Sequence, residues 1–177
     1  MHNRKILIIG EVYVDQHLDI IENGYSTSRL GGIFHAARSC DALNIEYALA
    51  YYAPDYLVKD VEKFGIDVLR ASSIFRLGKV DKAPNVMLIG QSDESGNQLY
   101  ENILGRQAEY VSMLPFMQVL DDFDPTDIII FPGRYGNAGI LSNLSNYEGK
   151  IHIDMNYDCD DILDLKKKKI QTVFLST

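Results

Sequence analysis

Apolar residues in this chain fall into short blocks separated by polar punctuation, and the blocks alternate between two kinds of pattern. Lys5 to Gly10 (KILIIG) is a continuous apolar run closed by glycine, the pattern of a strand buried on both faces. Val12 to Ile20 (VYVDQHLDI) alternates less cleanly and is expected to continue as strand. Ser26 to Leu30 reads as a polar loop, and Gly31-Gly32 opens a helical stretch from Ile33 to Leu43. Its small residues Ala36, Ala37, Ser39, Cys40 and Ala42 suit it to close packing on a sheet. Glu46 to Tyr52 (EYALAYY) is the next buried strand, and Pro54 starts a helix running to Phe64, with Gly65 as its stop. Ile66 to Ser73 is a further strand or turn.

Asn85 to Gly90 (NVMLIG) and Gln98 to Ile103 flank the polar turn SDESGN, which predicts an antiparallel hairpin. Tyr110 to Leu120 is expected as a helix closed by Asp122 to Pro125. Asp127 to Phe131 (DIIIF) is a strand, Pro132-Gly133 a turn and Asn137 to Leu144 a short helix. Lys150 to Met155 (KIHIDM) is a strand, Asp160 to Lys168 a helix and Gln171 to Leu175 (QTVFL) the last strand. Strand and helix alternate around one inserted hairpin. That order implies an α/β fold with a mostly parallel sheet and right-handed crossovers. The chain stops at Ser176-Thr177, directly after a buried-type strand, where parallel sheets place their ligand residues. The expectation is therefore a chain cut from something longer.

Composition narrows the class. The 177 residues are 46% hydrophobic, enough for one domain or the larger piece of one. A net charge of −8 argues against a nucleic-acid partner, which needs a basic surface. The one basic run, Lys166 to Lys169, reads as the solvated end of an element. Cys40 and Cys159 are too few for a disulfide framework and read as reduced, which points to a cytoplasmic protein. The run Ile6 to Ile9 is too short for a signal h-region or a membrane span, so no membrane partner is expected.

Three constellations are candidates for chemistry. Asp15, in GEVYVD just past the first strand, has the carboxylate needed to accept two hydrogen bonds from a diol. On spacing alone it reads more simply as an ordinary solvated Asp on a strand edge, and Asp19 competes for the role. Gly31-Gly32, ahead of a helix, would let backbone approach a ligand and allow hinge motion, or simply form a tight turn. Neither GxGxxG nor a Walker A loop is present. Asp154 and Asn156 end the KIHIDM strand, where polar groups point into a ligand crevice or make a turn. His2, His17, His35 and His152 lack metal-ligand spacing, no GxSxG elbow exists, and Tyr51-Tyr52 reads as a core or rim pair.

Together these features resemble the N-terminal half of the PfkB, or ribokinase-like, carbohydrate kinases along nearly the whole chain. KILIIGEVYVD looks like the family's opening strand, whose final Asp, here Asp15, binds sugar hydroxyls. Leu30-Gly31-Gly32 looks like its Gly-Gly substrate and hinge motif, and LNIEYALAYY like the strand that follows. DIIIFPG resembles the mid-domain strand and turn, and IHIDMN the D-x-N strand end at Asp154 and Asn156. QTVFLST looks like the strand before an Asn-x-x-Glu motif. The resemblance implies a three-layer α/β/α, Rossmann-like core with a small β-lid hairpin, its elements near 11–30 and 85–103. It also implies a sugar or nucleoside substrate, phosphorylated with ATP and Mg²⁺ in the complete protein, and a homodimer through the lid.

The departures shape that expectation. Where the family has Asn after Gly-Gly, this chain has His35 or Ala36. Ala53-Pro54-Asp55-Tyr56 replaces a glycine-rich step, and the family's expected Arg is Asp158 or absent. The GAGD loop, which supplies the anion hole and general base, is missing, as are the Asn-x-x-Glu motif and the adenine pocket. Residues 1–177 would thus form an N-terminal portion without the ATP-binding part. It would grip substrate through Asp15, Gly31, Gly32, His35, Asp154 and Asn156, with no cofactor or catalytic residue of its own. Two other readings stay open: a degenerate, non-catalytic polyol-binding or regulatory module, and an unrelated nucleotide-binding α/β domain, which would need a phosphate cradle.

Overall fold

The computed structural model describes residues 4–17, 27–92, 98–103, 108–133, 135, 140, 142–155 and 170–175. Its centre is β1 (Lys5–Glu11), whose Ile6, Leu7, Ile8 and Ile9 are all buried. Side chains alternate along a strand, so such a run is buried only when both faces of the sheet are covered. Ile6 and Ile8 pack with Phe34, Ala37 and Cys40 of α1 (Phe34–Ala42) and with Val61 of α2 (Val58–Lys63). Leu7 and Ile9 belong to the opposite core with Phe116, Val119 and Phe123 of α3 (Phe116–Phe123). These are the three layers of the expected α/β/α core.

β1 lies between two parallel neighbours, β4 (Glu46–Ala53) and β9 (Asp127–Ile130). Beyond β4 come β5 (Ser73–Asp81), parallel, and β8 (Glu109–Ser112), antiparallel. Beyond β9 lie β10 (Lys150–Met155) and β11 (Ile170–Leu175), both parallel, giving the order β11-β10-β9-β1-β4-β5-β8. A second, four-stranded sheet holds β2 (Val14–His17), β3 (Thr27–Leu30), β6 (Val86–Ser92) and β7 (Gln98–Ile103) in the order β3-β2-β6-β7. β6 and β7 form the expected antiparallel hairpin, and β2 extends it in parallel.

Five expectations change. Ile66 to Ser73 is not a strand: a π turn runs to Val68, and β5 begins only at Ser73. Val12 to Ile20 is not one strand: the chain leaves β1 after Glu11 and resumes as β2 at Val14, in the other sheet. Residues 27–30 are a strand rather than a loop; β3 is an edge strand, which explains its polar sequence. Gly65 does not stop a helix. The chain runs from α2 into a π turn over Phe64–Val68. A Cβ at Gly65 would lie 2.5 Å from Ile74 Cδ1, so the glycine serves close packing on the sheet. Finally, the helix expected over Tyr110 to Leu120 is β8 followed by α3, because Pro115 suits the start of a helix and not its interior. The helix at 160–168, Cys159, Lys166 to Lys169, Asp158, Asp19, His2 and most of the 137–144 helix lie outside the described residues.

No described helix is long and apolar enough to cross a membrane. Cys40 is buried, and burial pushes its thiol pKa up, which leaves it a packing residue of α1.

Asp127 secures the amino-terminal edge of the sheet. It is buried, accepts hydrogen bonds from Thr126 Oγ1 (2.8 Å) and His152 Nε2 (3.3 Å), and pairs with Arg4 (3.3 Å). Burial opposes its ionisation, but those bonds and the Arg4 charge outweigh it and hold the carboxyl below its ordinary 3.8. A depressed carboxyl stabilises the fold above its unfolded pKa and loses that contribution as pH falls through the folded one. Asp127→Asn is therefore expected to lower the melting temperature at pH 7 and to flatten its fall as the pH drops below about 4. In the core, Ile8→Ala should cost about 2–5 kcal/mol in denaturant titrations, as for other fully buried aliphatic truncations.

Candidate functional site

The site grows from the point where the chain changes sheets. The N–H of Val12 still donates to Tyr52 O of β4 (3.0 Å), while that of Val14 already donates to Asn85 O, just ahead of β6 (2.8 Å). Between them Tyr13 O accepts from the Gly31 N–H (2.8 Å). Asp15 is thereby placed beyond the carboxyl end of β1, where parallel sheets bind ligands.

Asp15 is only 4% exposed. Its Oδ2 lies 3.1 Å from His35 Nε2 and 3.7 Å from Arg29 Nε. Its Oδ1 makes no hydrogen bond among the described residues. Gly31 packs directly on the carboxylate: a Cβ there would overlap both oxygens. Gly32 has φ +61°, and a Cβ would overlap the Glu11 carbonyl oxygen, which accepts from the Ile33 N–H (3.2 Å). His35 follows in the first turn of α1, its N–H donating to Gly32 O (3.1 Å). The structure thus brings together Asp15, Gly31, Gly32 and His35.

Asp154 is not part of that group. It ends β10, two strands from β1, and no hydrogen bond joins it to Asp15, Gly31, Gly32 or His35. Burial raises its pKa. Asn156 lies outside the described residues.

Several residues around Asp15 are missed by sequence reasoning. Glu11 is 5% exposed and sits between the two sheets. It accepts hydrogen bonds from Tyr13 Oη (2.8 Å), Tyr110 Oη (2.9 Å) and Asn85 Nδ2 (3.4 Å). Asn85 also donates to Val12 O (3.1 Å) and holds φ +48°, a conformation asparagine tolerates. Tyr110 meets Tyr52 and Tyr135 edge-on, and those two stack at 4.6 Å, so the wall beside Glu11 is aromatic. Tyr51 points to the other core, its phenol pushed up to about 12 by burial. Arg29 lies opposite Asp15 in the β2–β3 register. His17, two residues beyond Asp15 on the same face of β2, has a buried Nε2 with no hydrogen-bond partner. One signal for Glu11 was available: a charged residue directly closing an apolar strand. Arg29 sat in an expected loop and Tyr110 in an expected helix, so neither could be placed.

Chemically, this is a carboxylate acceptor with an open oxygen, flanked by His35, Arg29 and His17. It fits neutral hydroxyl donors. No group of three His, Cys, Asp or Glu side chains among the described residues could hold a metal ion.

Solved structures share this architecture. A fructokinase from Xylella fastidiosa matches with a TM-score of 0.64 at 11% identity, over 88% of this chain and 51% of that one. A ribokinase from Giardia lamblia matches at 0.58 and 16% identity, over 90% and 52%. An uncharacterized sugar kinase from Pyrococcus horikoshii matches at 0.57 and 14% identity, over 95% and 64%. The fold is ribokinase-like. At these identities the likeness concerns the fold alone, and the chain spans between half and two thirds of those proteins. No protein-family model and no curated protein matches the chain by sequence.

The junction between the sheets yields a direct test. Asn85→Ala removes a buried donor from Glu11 and Val12 O, and should destabilise the chain by about 1–3 kcal/mol in urea titrations. Asn85→Asp keeps the size but sets a second carboxylate against Glu11, and should be at least as damaging.

Proposed function

We propose that the chain is the substrate-binding N-terminal part of a PfkB-type kinase that phosphorylates a sugar or nucleoside. The observation that carries this reading is the buried Asp15 carboxylate, backed by Gly31 and presented beyond the carboxyl end of the central strand. Oδ1 would accept one substrate hydroxyl, and Oδ2 a second beside His35. His17 Nε2 would pair with a further substrate oxygen. Gly31 and Gly32 would keep the pocket floor low enough for a ring to approach. Asp154 and Asn156 would contribute, if at all, from the far side of the crevice.

ATP and Mg²⁺ belong to this proposal only for the complete protein. The sequence has no GAGD loop to cradle a nucleotide phosphate. The reading places the protein in the cytoplasm. It also allows a homodimer through the lid, whose edge strands β3 and β7 have no further neighbour in that sheet among the described residues.

One observation favours a second reading, a non-catalytic polyol-binding module. His35 or Ala36 stands where the resembled family has Asn, and His35 already occupies one oxygen of Asp15. Turnover separates the two. ATP-dependent phosphorylation of a bound polyol by the complete protein supports the kinase, whereas binding without turnover supports the module.

Binding itself can be measured on this chain by calorimetry with D-ribose, D-fructose, myo-inositol and adenosine. At least one is expected to bind. Asp15→Asn should weaken it about 10–100-fold, the loss expected for one or two charge-assisted hydrogen bonds. Its melting temperature should change little, because both partners of the carboxylate, His35 and Arg29, are half-exposed. Unchanged affinity in Asp15→Asn would remove that residue from the site.

A further inference from the structure

The lid sheet has a second face. Asp15 and Arg29 are register partners, as are Val14 and Leu30 one position away, so Val14 and Leu30 point to the side opposite Asp15. On that side the lid stands over α1 and α2 and leaves a groove of about 440 Å³. Its apolar lining is Val14, Leu30, Leu57, Phe64 and Val68. Its charged residues are Arg38, Lys63 and Asp60, with Arg29 reaching it from the register position that pairs with Asp15, an excess of positive charge in a chain of net charge −8.

Arg38 is the telling residue. Its Nη2 donates to Leu30 O (2.7 Å), and its guanidinium lies over the Phe64 ring at 5.6 Å. Its Nη1 is buried and makes no hydrogen bond. A buried charged donor without an acceptor is costly, more so with a second guanidinium close by. Burial and the Arg29 charge both lower the Arg38 pKa, with Asp15 only partly opposing them. An anion in the groove would offset this crowded positive charge, and the apolar lining would cover an attached hydrocarbon or ring. The volume falls in the range of small-ligand pockets.

We propose that the groove behind the lid is a second binding site, separate from the Asp15 pocket, for a small amphipathic anion: a phosphate or carboxylate carried on an apolar body. The Arg38 guanidinium and Lys63 hold the anionic group, and Phe64, Leu57 and Leu30 cover the apolar part. Arg29 borders both sites, so occupation of the groove shifts the Asp15 clamp, and the two ligands alter each other's affinity by the same factor.

Phenyl phosphate is a suitable probe, titrated into the chain by calorimetry beside inorganic phosphate and benzyl alcohol. Saturable binding is expected, about tenfold or more tighter than either partial probe, because each of those supplies only half the complement. Arg38→Met and Lys63→Glu should each weaken phenyl phosphate about tenfold. Lys63 is exposed, so its variant keeps the test valid should Arg38→Met fold poorly. Asp15→Asn should still bind the probe, which separates this site from the polyol pocket. Absence of saturable binding, equal affinity for inorganic phosphate, or full affinity in Lys63→Glu would each overturn the proposal.

Discussion

The structure depends on one backbone manoeuvre: the chain must leave a strand buried on both faces and enter a separate sheet within three residues. A buried strand end has N–H and C=O groups that demand partners. Here the partners come from three directions. Tyr52 O takes the last N–H of the core sheet, Asn85 supplies both a carbonyl and a side-chain amide, and Gly31 closes on Tyr13 O. Gly32 lies so close to the Glu11 carbonyl that no side chain fits. The two glycines and Asn85 are thus parts of one junction, and the position of the lid follows from it.

Two buried carboxylates flank this junction, and their surroundings differ. Glu11 accepts from two tyrosine hydroxyls and an amide, a set that fixes the carboxylate between the sheets. Asp15 is held at one oxygen by His35, with Arg29 further off, and keeps the other oxygen open. The first environment suits a structural carboxylate that locks lid to core. The second suits a carboxylate awaiting donors from a ligand. Gly31 ties them together, since it bonds to the turn between them and sets how far the Asp15 carboxylate can swing.

The lid therefore works with two faces. One presents Asp15 and His17 over the strand ends; the other rests on α1 and α2 with Arg38 beneath it. Arg38 bonds the carbonyl of Leu30, the residue just before the glycine pair, so the rear face of the second sheet is anchored at the Gly31-Gly32 turn. Any motion of the lid about the Gly-Gly segment must alter that contact.

The sequence determined the layers. An unbroken apolar run in β1 demands cover on both faces, and the alternation of strand and helix sets a parallel sheet whatever the partners are. It also singled out Asp15 and the glycine pair, because a carboxylate and two adjacent glycines at strand and helix ends are visible locally. It misplaced β3 and β8 and missed β5, whose Arg76 and Lys79 interrupt the apolar run. Edge strands bury one face at most and so lack the apolar run that marks β1. Only the tertiary structure decided which side chains meet. Tyr110 reaches Glu11 across 99 positions of sequence, Asn85 across 74 and His35 reaches Asp15 across 20. Asp154, equally polar and equally at a strand end, is left two strands away. Periodicity reports which face a residue is on. Strand order and register decide what stands opposite it, and those are properties of the packed sheet as a whole.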